Sequence, residues 1–337
     1  MERKLTIRNF GAITSADIVL KELNIFIGEQ GAGKSTVAKL ITLFENYENQ
    51  SPETESNSLM AKFAELNIVS YFNPDSYISY TSDKRSIIYK DGSFEFTLRT
   101  NPATHNLYIP AERFFISTFS RSIATLVLAK APIPLTLLEF ASLYEKAKNQ
   151  FANYQIPIFN MIFQVRETSE NLVLIDHDKV IPFKDASSGI QSVIPLLMVI
   201  DYVAKEQPNT HFVIEEPELN LFPETQVSLL HHMINKCHQL TVTTHSPYLL
   251  SALNNMIEAG NIFKAHPEKE EKIAAVLPKE CWVDCDKITA YKIENGTIIS
   301  ILDEEFNIIV ADQIDATSKK YGIELISKNI QAEITIK

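Results

Sequence analysis

The spacing of apolar and polar positions near the start of the chain predicts a strand, a loop and a helix. Residues 4–10 alternate as in a half-buried strand, and a short apolar run at 23–27 ends at a glycine-rich loop. From Ser35 to Tyr47 the apolar positions recur at helical spacing. We therefore expect the loop to connect a buried strand to an amphipathic helix.

The next part of the chain predicts antiparallel strands and then helices. Residues 77–98 favour a β-hairpin, because Asp91-Gly92 separates two stretches of alternating β-forming residues. Residues 107–113 predict a strand that leaves the core. Residues 115–154 predict two helices joined by a proline-rich turn at 131–134.

The remaining pattern alternates between strands and helices. A predicted β-meander over 162–183 precedes a helix over 188–205, a strand over 210–214, a helix over 224–236 and a strand over 240–243. Such alternation is typical of a parallel sheet with helices on its faces. We expect an α/β fold with a mainly parallel central sheet, an antiparallel β subdomain and a short inserted helical lobe, and a further hairpin at 294–296.

Composition favours a folded chain that stays in the cytoplasm. The 337 residues are 45% hydrophobic, and the apolar run at 192–203 is too short for a bilayer span. Residues 1–4 lead into strand-like sequence without a signal-peptide pattern. The three cysteines, Cys237, Cys281 and Cys285, lack metal-ligand spacing as a set, so we expect them to be reduced. Cys281 and Cys285 are four residues apart, which leaves a metal site as the alternative to ordinary packing, and we favour packing. These features predict no membrane partner.

The net charge argues against a surface built throughout for nucleic acid. It is −11 at pH 7, whereas phosphate contacts need clustered cations. The nearest approach to a basic groove is formed by Lys84, Arg85, Lys90 and Arg99. We favour a solvated face of the hairpin for this stretch and keep a local DNA groove as the alternative.

The glycine loop has the pattern G-x-x-x-x-G-K-S. Its glycines let backbone N–H groups wrap phosphates, Lys34 would reach the β- and γ-phosphates, and Ser35 would ligate Mg²⁺. The preceding strand and the following helix are the context that this pattern requires. We expect ATP or GTP to be bound, with Mg²⁺, by Gly28, Glu29, Gln30, Gly31, Ala32, Gly33, Lys34, Ser35 and Thr36.

A second candidate lies at the end of the predicted strand 210–214. Glu215 and Glu216 follow this strand directly, the layout of a magnesium-organising strand beside a phosphate loop. Glu215 would hold Mg²⁺ directly or through water, and Glu216 would orient and deprotonate the attacking water. The alternative is that both acids begin a helix, which Pro217-Glu218 permits.

Two further segments lie where ligands of open α/β sheets bind. His245 closes a predicted strand and is assigned to contact and sense the γ-phosphate, although a lone histidine is more often packed or solvated. The segment 185–192 precedes a long helix and either binds an anion at the helix N-terminus or is an ordinary N-cap. Its candidate residues are Ser187, Ser188, Gly189 and Gln191.

Taken in order, these motifs resemble the ABC ATPase superfamily, in the branch that contains SMC, recombination-repair and OLD-family ATPases. Residues 215–223 are similar to that branch's E-E-P-E-x-x-L-H-P, with Phe222 where histidine is usual. The segment 109–113 also resembles these ATPases and places Glu112 or Arg113 near the site. The segment 187–191 stands where these ATPases have their signature motif and is called the signature below. It lacks the second glycine of transporter ATPases, and no glutamine loop is assigned.

The resemblance, which covers residues 1–255, implies a head-to-tail homodimer, or a larger homo-oligomer, that hydrolyses ATP. The signature residues of one subunit would close over ATP held by Lys34 of the other, so that ATP acts as a switch of shape. The implied regions are an N-terminal ATPase lobe at 1–114, an inserted helical lobe at 115–160, a C-terminal ATPase lobe at 161–255 and a small α/β extension at 256–337.

The biological role is inferred from the same resemblance. OLD-type nucleases continue into a Toprim domain, for which the acids Asp284, Asp286, Asp303, Glu304 and Glu305 lie on too short a tail. The chain resembles stand-alone ATPases that control a separately encoded effector, several of which serve anti-phage defence. A nuclease or repair clamp that acts on DNA, and a transporter ATPase subunit, are the alternatives.

Overall fold

The computed structural model describes residues 3–46, 52–83, 85–98, 105–119, 123–166, 169–177, 179–303 and 307–310. The helices in these ranges are α1 (Lys34–Asn46), α2 (Pro52–Glu65), α3 (Phe114–Phe119), α4 (Ile123–Leu128), α5 (Leu135–Gln150), α6 (Ser188–Glu206), α7 (Pro223–Lys236), α8 (Pro247–Ala265) and α9 (Glu270–Ala274). The strands are β1 (Arg3–Phe10), β2 (Ile13–Leu20), β3 (Leu23–Gly28), β4 (Tyr77–Thr81), β5 (Arg85–Lys90), β6 (Ser93–Leu98), β7 (Asn106–Ile109), β8 (Asn153–Gln155), β9 (Met161–Val165), β10 (Glu170–Leu174), β11 (Lys179–Pro182), β12 (His211–Glu215), β13 (Gln239–Thr244), β14 (Ile288–Glu294), β15 (Thr297–Ser300), β16 (Leu302–Asp303) and β17 (Ile308–Ile309).

An eleven-stranded sheet runs through the described part of the chain, in the order β6-β5-β4-β1-β2-β15-β14-β3-β13-β12-β7. The strands from β14 to β7 are parallel. Strands β1, β2, β4, β5 and β6 pair antiparallel and extend the same sheet. A four-stranded antiparallel sheet, β11-β10-β9-β8, contains the predicted meander. The expected α/β fold is confirmed.

The parallel strands bury apolar side chains on both faces of the sheet. Phe26 and Val213 point toward the core that contains α1 and α2, whereas Ile25 and Phe212 point toward the core that contains α5 to α8. Successive strand residues face opposite sides of a sheet. The continuous apolar runs of β3 and β12 therefore supply both cores.

Helix α6 belongs to the second of these cores. By length and composition alone it would be able to cross a membrane, but 61% of its apolar window is buried inside the protein. Ile194, Leu197 and Ile200 are fully buried there. Its apolar character is therefore explained by packing against the sheet.

The two glycine turns form as predicted. Asp91 and Gly92 have φ values of 51° and 78°, and Asn295 and Gly296 have values of 52° and 76°. Positive φ at both central residues is what a tight two-residue hairpin requires. The second hairpin joins β14 to β15, and β14 pairs in parallel with β3. The second hairpin therefore lies beside the strand that leads into the glycine loop. The division of the chain into four regions, at 1–114, 115–160, 161–255 and 256–337, stays a prediction.

The prediction that the basic residues of the first hairpin lie on a solvated face is wrong for Arg85. This arginine is only 3% exposed and donates to the Phe44 carbonyl at 3.0 Å. It shares the inward face of β5 with Ile87, because alternate residues point the same way. Lys90 is exposed beside Asp91. Outside the described residues lie Lys84, Arg99, Glu304 and Glu305.

A buried network of polar side chains ties the end of α1 to the amino-terminal edge of the parallel strands. The Glu45 carboxylate accepts hydrogen bonds from Arg3 Nη1 at 3.0 Å, Asn106 Nδ2 at 2.8 Å and Tyr80 Oη at 3.3 Å. It also contacts Nδ1 of the fully buried His211 at 2.6 Å. Burial acts to raise the pKa of Glu45, but His211, Arg3 and Asn106 outweigh it and lower the pKa to about 2.

Candidate active site

The candidate residues meet because three parallel strands end at one edge of the sheet. The neighbours β3, β13 and β12 end at Gly28, Thr244 and Glu215 respectively. Parallel strands present their carboxyl ends on the same side, where ligands of such sheets bind. The glycine loop, the two carboxylates and the histidine are thereby brought together.

The glycine loop is closely packed against two other segments. A Cβ on Gly33, whose φ is 109°, would lie 2.4 Å from Ile13 Cδ1, and a Cβ on Gly28 would lie 2.6 Å from the Ile293 carbonyl oxygen. Only glycine fits such contacts without movement of its neighbours. In the rest of the loop, Glu29, Gln30, Gly31 and Ser35 are exposed, Ala32 is half-buried and Thr36 is buried.

Lys34 begins α1 and folds back over the loop. Its Nζ donates to the carbonyls of Gly28 at 2.9 Å and Glu29 at 3.1 Å. The residue is 5% exposed. Burial lowers the pKa of Lys34 below its ordinary value, while Glu216, and less strongly Glu218 and Glu215, act in the opposite direction. The ammonium group thus lies in a pocket of negative charge at the helix N-terminus.

His245 connects Lys34 to Glu216. Its Nε2 lies 2.8 Å from Glu216 Oε1, and Lys34 Nζ lies 3.0 Å from Nε2 and 3.3 Å from Nδ1. A lysine ammonium only donates and a carboxylate only accepts. One ring nitrogen either donates or accepts, so Nε2 does not serve both neighbours at once. With a proton on Nε2 the ring donates to Glu216, and Nδ1, the nitrogen farther from Lys34, is left to accept from the ammonium.

Glu218 fixes the backbone around His245, a role that the sequence patterns did not assign. Its Oε1 accepts from Thr244 Oγ1 at 2.6 Å and from the His245 N–H at 2.7 Å. The residue is 9% exposed. The signal available in the sequence was the acid directly after Pro217, which would otherwise be expected in solvent. Glu218 therefore joins the loop after β12 to the end of β13.

Glu215 and Ser35 offer oxygen ligands suited to Mg²⁺. Burial raises the pKa of the Glu215 carboxyl, and hydrogen bonds from Ser35 and Tyr108 oppose this. Among the described residues, the buried Oε1 of Glu215 has no hydrogen-bond partner. A buried carboxylate oxygen beside a serine hydroxyl matches the hard oxygen ligands that Mg²⁺ takes. These two residues fit the predicted magnesium site.

Arg113, rather than Glu112, reaches the site. The Glu112 side chain is exposed, whereas Arg113 is completely buried. Its Nη1 donates to the Glu215 carbonyl at 2.7 Å and its Nη2 to the Glu216 carbonyl at 2.8 Å. The sequence signal was an arginine at the last position of the predicted strand 107–113, which by itself does not indicate where the side chain points.

The segment before α6 presents its two serines to solvent. Ser187 is the N-cap residue and Ser188 begins the helix, and both are exposed. Gln191 is used within the chain, because its Nε2 donates to the carbonyls of Lys184 and Ala186, each at 2.9 Å. Gly189 is buried, and a Cβ there would lie 2.4 Å from the Asn220 carbonyl oxygen. The loop after β12 thus packs directly on the start of α6.

Comparison with known proteins matches the AAA ATPase domain family to residues 1–125 and 136–250. No curated protein matches. The similar solved structures include three that match over most of their length. An SMC head bound to the C-winged helix domain of ScpA is 12% identical over 91% of this chain and 99% of its own, with a TM-score of 0.49. The SMC head domain from Thermotoga maritima is 10% identical (89% and 98% covered, TM-score 0.45), and the recombination mediator protein RecF-ATPrS is 11% identical (89% and 98%, TM-score 0.44).

Proposed function

Because this chain belongs to the AAA ATPase domain family and is therefore an ATPase, we propose that it works as a dimeric, ABC-type switch driven by ATP. Lys34 and the rest of the loop 28–36 bind the phosphates. Glu216 accepts the proton of the attacking water, and His245 senses the γ-phosphate. The ATP-bound dimer would differ in shape from the free subunits, so the rate of hydrolysis would set how long the ATP-bound shape lasts.

The observation that carries this proposal is the contact series from Lys34 through His245 to Glu216. It supports a sensor, His245, that lies within hydrogen-bond distance of both a phosphate-binding cation and a base. Glu216 is 24% exposed at its side chain, so its carboxylate remains accessible to water and substrate. A general base needs this proximity to the reacting group before any other property matters.

The residues of this chain would share the work of hydrolysis. The N-terminus of α1 and the loop N–H groups attract the phosphates. When bound by Ser35 and Glu215, Mg²⁺ would neutralise phosphate charge. Glu216 would orient water for in-line attack, and His245 would exchange its contact with Lys34 for one with the γ-phosphate.

Several exposed groups favour a second copy of the chain as the partner. Ser187 and Ser188 are exposed at the N-terminus of α6. Two large aromatic side chains are also exposed near the site: Phe222 at 73%, next to the loop that packs on Gly189, and Tyr248 at 53%, in the first turn after His245. Exposed aromatic groups are enriched at interfaces. In the proposed head-to-tail dimer, the serines meet ATP held by the other subunit.

We further propose that the dimer acts in the cytoplasm on a separately encoded effector, in anti-phage defence or DNA maintenance. The resemblance of the ordered motifs to stand-alone ATPases supports this. A nuclease centre within the described tail is less favoured, because Lys264 already lies 3.7 Å from Asp284 and 2.5 Å from Asp286. Two of the acids that would hold a metal thus already share a lysine as partner.

Light scattering tests the switch. Wild type and Glu216→Gln are sized with and without ATP and Mg²⁺, and hydrolysis is measured by phosphate release. We expect Glu216→Gln to bind ATP, to hydrolyse at least about 100-fold more slowly and to accumulate as a dimer, because only the water-activating carboxylate is lost. A monomeric mass for both proteins in saturating ATP would reject the dimeric switch.

A mixing experiment tests whether each site is shared between subunits. Lys34→Ala removes the phosphate contact, and Ser188→Arg blocks the exposed serine surface. In a head-to-tail heterodimer of these two variants, one of the two sites pairs an intact loop with an intact signature, and the other site has neither. About half of the dimers formed on equal mixing are heterodimers, and each has one working site of two. Equal mixing should therefore restore about a quarter of wild-type activity.

The matched control is a mixture of Lys34→Ala with Glu216→Gln. Lys34 and Glu216 act in the same site of the same subunit, so this heterodimer contains no intact site and should stay inactive. If neither mixture gains activity although both partners bind each other, the shared site is wrong.

A further inference from the structure

Arg113 is a buried cation that binds only backbone carbonyls in the described residues. The chain leaves β7 at Ile109, turns at Pro110 and reaches Arg113 three residues later. The guanidinium donates to the carbonyls of Pro110 at 3.2 Å, Glu215 at 2.7 Å and Glu216 at 2.8 Å. It therefore ties the end of the edge strand to the turn that carries both candidate carboxylates.

The charge on this guanidinium is kept despite its burial. Burial lowers the pKa of Arg113 to about 10, while Glu218 first, and then Glu215, Glu216 and Glu112, act to raise it. The group is thus protonated near neutral pH. Hydrogen bonds from an ionised donor are shorter and stronger than neutral ones. The two carbonyls are accordingly held by charge-assisted bonds from a fully buried guanidinium.

The turn that Arg113 holds has an unusual backbone conformation. Glu216 has a φ of 42°, in the left-handed region that residues with a side chain seldom adopt. Such a conformation persists only where its surroundings fix it. The Glu216 N–H donates to the Thr243 carbonyl at 2.9 Å, and the Glu216 carbonyl accepts from Arg113. The residue is therefore anchored on one side by β13 and on the other by Arg113.

We propose that Arg113 is the positioning residue for Glu216. It holds the peptide of Glu216 so that the carboxylate points toward His245, 2.8 Å away, and toward the attacking water. Without the guanidinium, the two carbonyls lose their donors and the left-handed turn relaxes, which moves the carboxylate. This inference rests on the proposed role of Glu216 as the base.

Kinetics separate positioning from nucleotide binding. Arg113→Met removes the donors and keeps the length of the side chain, and Arg113→Lys keeps the charge with fewer fixed donors. We expect Arg113→Met to lower kcat roughly 100-fold, because displacement of a catalytic group by about 1 Å costs that much. Arg113→Lys should lose roughly 10-fold, and the dissociation constant for ATP should change less than about 3-fold in both.

A double-mutant cycle tests whether Arg113 acts through Glu216. In the Glu216→Gln background, Arg113→Met should lower the residual rate less than about 3-fold, because residues that act as a unit are not additive. Arg85→Met is the matched control, since Arg85 is also buried and donates to a backbone carbonyl, but at Phe44 and away from the site. It should lower the melting temperature and leave kcat unchanged.

Each outcome decides the question. A full 100-fold loss in the Glu216→Gln background, or an equal loss of kcat in Arg85→Met, would overturn the positioning role and indicate a general effect on the fold. If Arg113→Met does not fold, the same cycle is run with Arg113→Lys. A loss of rate from Arg113→Lys that is as large in the Glu216→Gln background as in wild type would likewise overturn the positioning role. If Glu216→Gln itself hydrolyses ATP like wild type, the base is wrongly assigned, which is a separate failure.

Discussion

Replacement of Glu45 by glutamine is expected to destabilise the protein by about 3 kcal/mol near neutral pH. The pKa of this carboxyl falls from an ordinary 4.5 to about 2, because His211 and Arg3 stabilise its charged form more than burial opposes it. A fall of this size corresponds to about 3 kcal/mol of folding free energy. Glutamine has nearly the same shape, so the change tests the charge rather than the packing.

The pH dependence follows from the direction of this shift. A carboxyl whose pKa is lower in the folded than in the unfolded protein contributes stability that is complete above the unfolded value. That stability is lost as the pH falls from about 4.5 toward about 2. The difference in unfolding free energy between wild type and Glu45→Gln should therefore be largest near neutral pH and should close over this interval.

Urea unfolding followed by circular dichroism measures the difference at several pH values. Glu22→Gln serves as the control, because Glu22 pairs with Lys287 at 3.0 Å on the surface, where both side chains are about half exposed. An exposed pair of this kind contributes at most about 1 kcal/mol. A Glu45→Gln effect below about 1 kcal/mol at neutral pH, or one that stays constant as the pH falls, would refute the reasoning.

Three further predictions concern the site. Gly189→Ala places a Cβ 2.4 Å from the Asn220 carbonyl oxygen, so it should lower phosphate release at least tenfold with ATP affinity unchanged; wild-type turnover would contradict this. Gly28→Ala places a Cβ 2.6 Å from the Ile293 carbonyl oxygen, and should weaken fluorescent-nucleotide binding and lower the melting temperature together. Burial lowers the pKa of Lys34, so this lysine should lose its charge, and ATP affinity should fall, at a pH lower than the ordinary lysine pKa of 10.5. The Lys34→Arg variant stays charged and should show no such fall.

The main elements could be predicted from the sequence because their signals are local. The glycine loop lies between an apolar strand and an amphipathic helix, and α1 begins at Lys34 as the motif requires. The turns Asp91-Gly92 and Asn295-Gly296 adopt the positive φ values that their residue types favour. Helix α8 was not predicted, since its apolar positions follow directly on a strand and a proline.

The position of Arg85 shows that a local pattern does not determine to which face of a sheet a strand residue points. Its sequence neighbours suggest a basic, solvated hairpin, but the register of β5 turns this arginine inward with Ile87. A shift of one residue would have turned it outward, because side chains alternate along a strand. Register is decided by pairing with β4 and β6, and a single strand does not encode it.

The chemical groups that this protein carries, and the strand ends at which they lie, follow from local patterns in the chain. Periodicity, turn chemistry and helix starts depend on residues a few positions apart, so these could be read directly. Three long-range contacts required the folded chain to be seen: Arg113 holds the Glu215–Glu216 turn, Glu45 pairs with His211, and β14 lies beside β3. These contacts join residues about 100 to 265 positions apart, and they arise when the sheet orders its strands and buries groups that must then find partners.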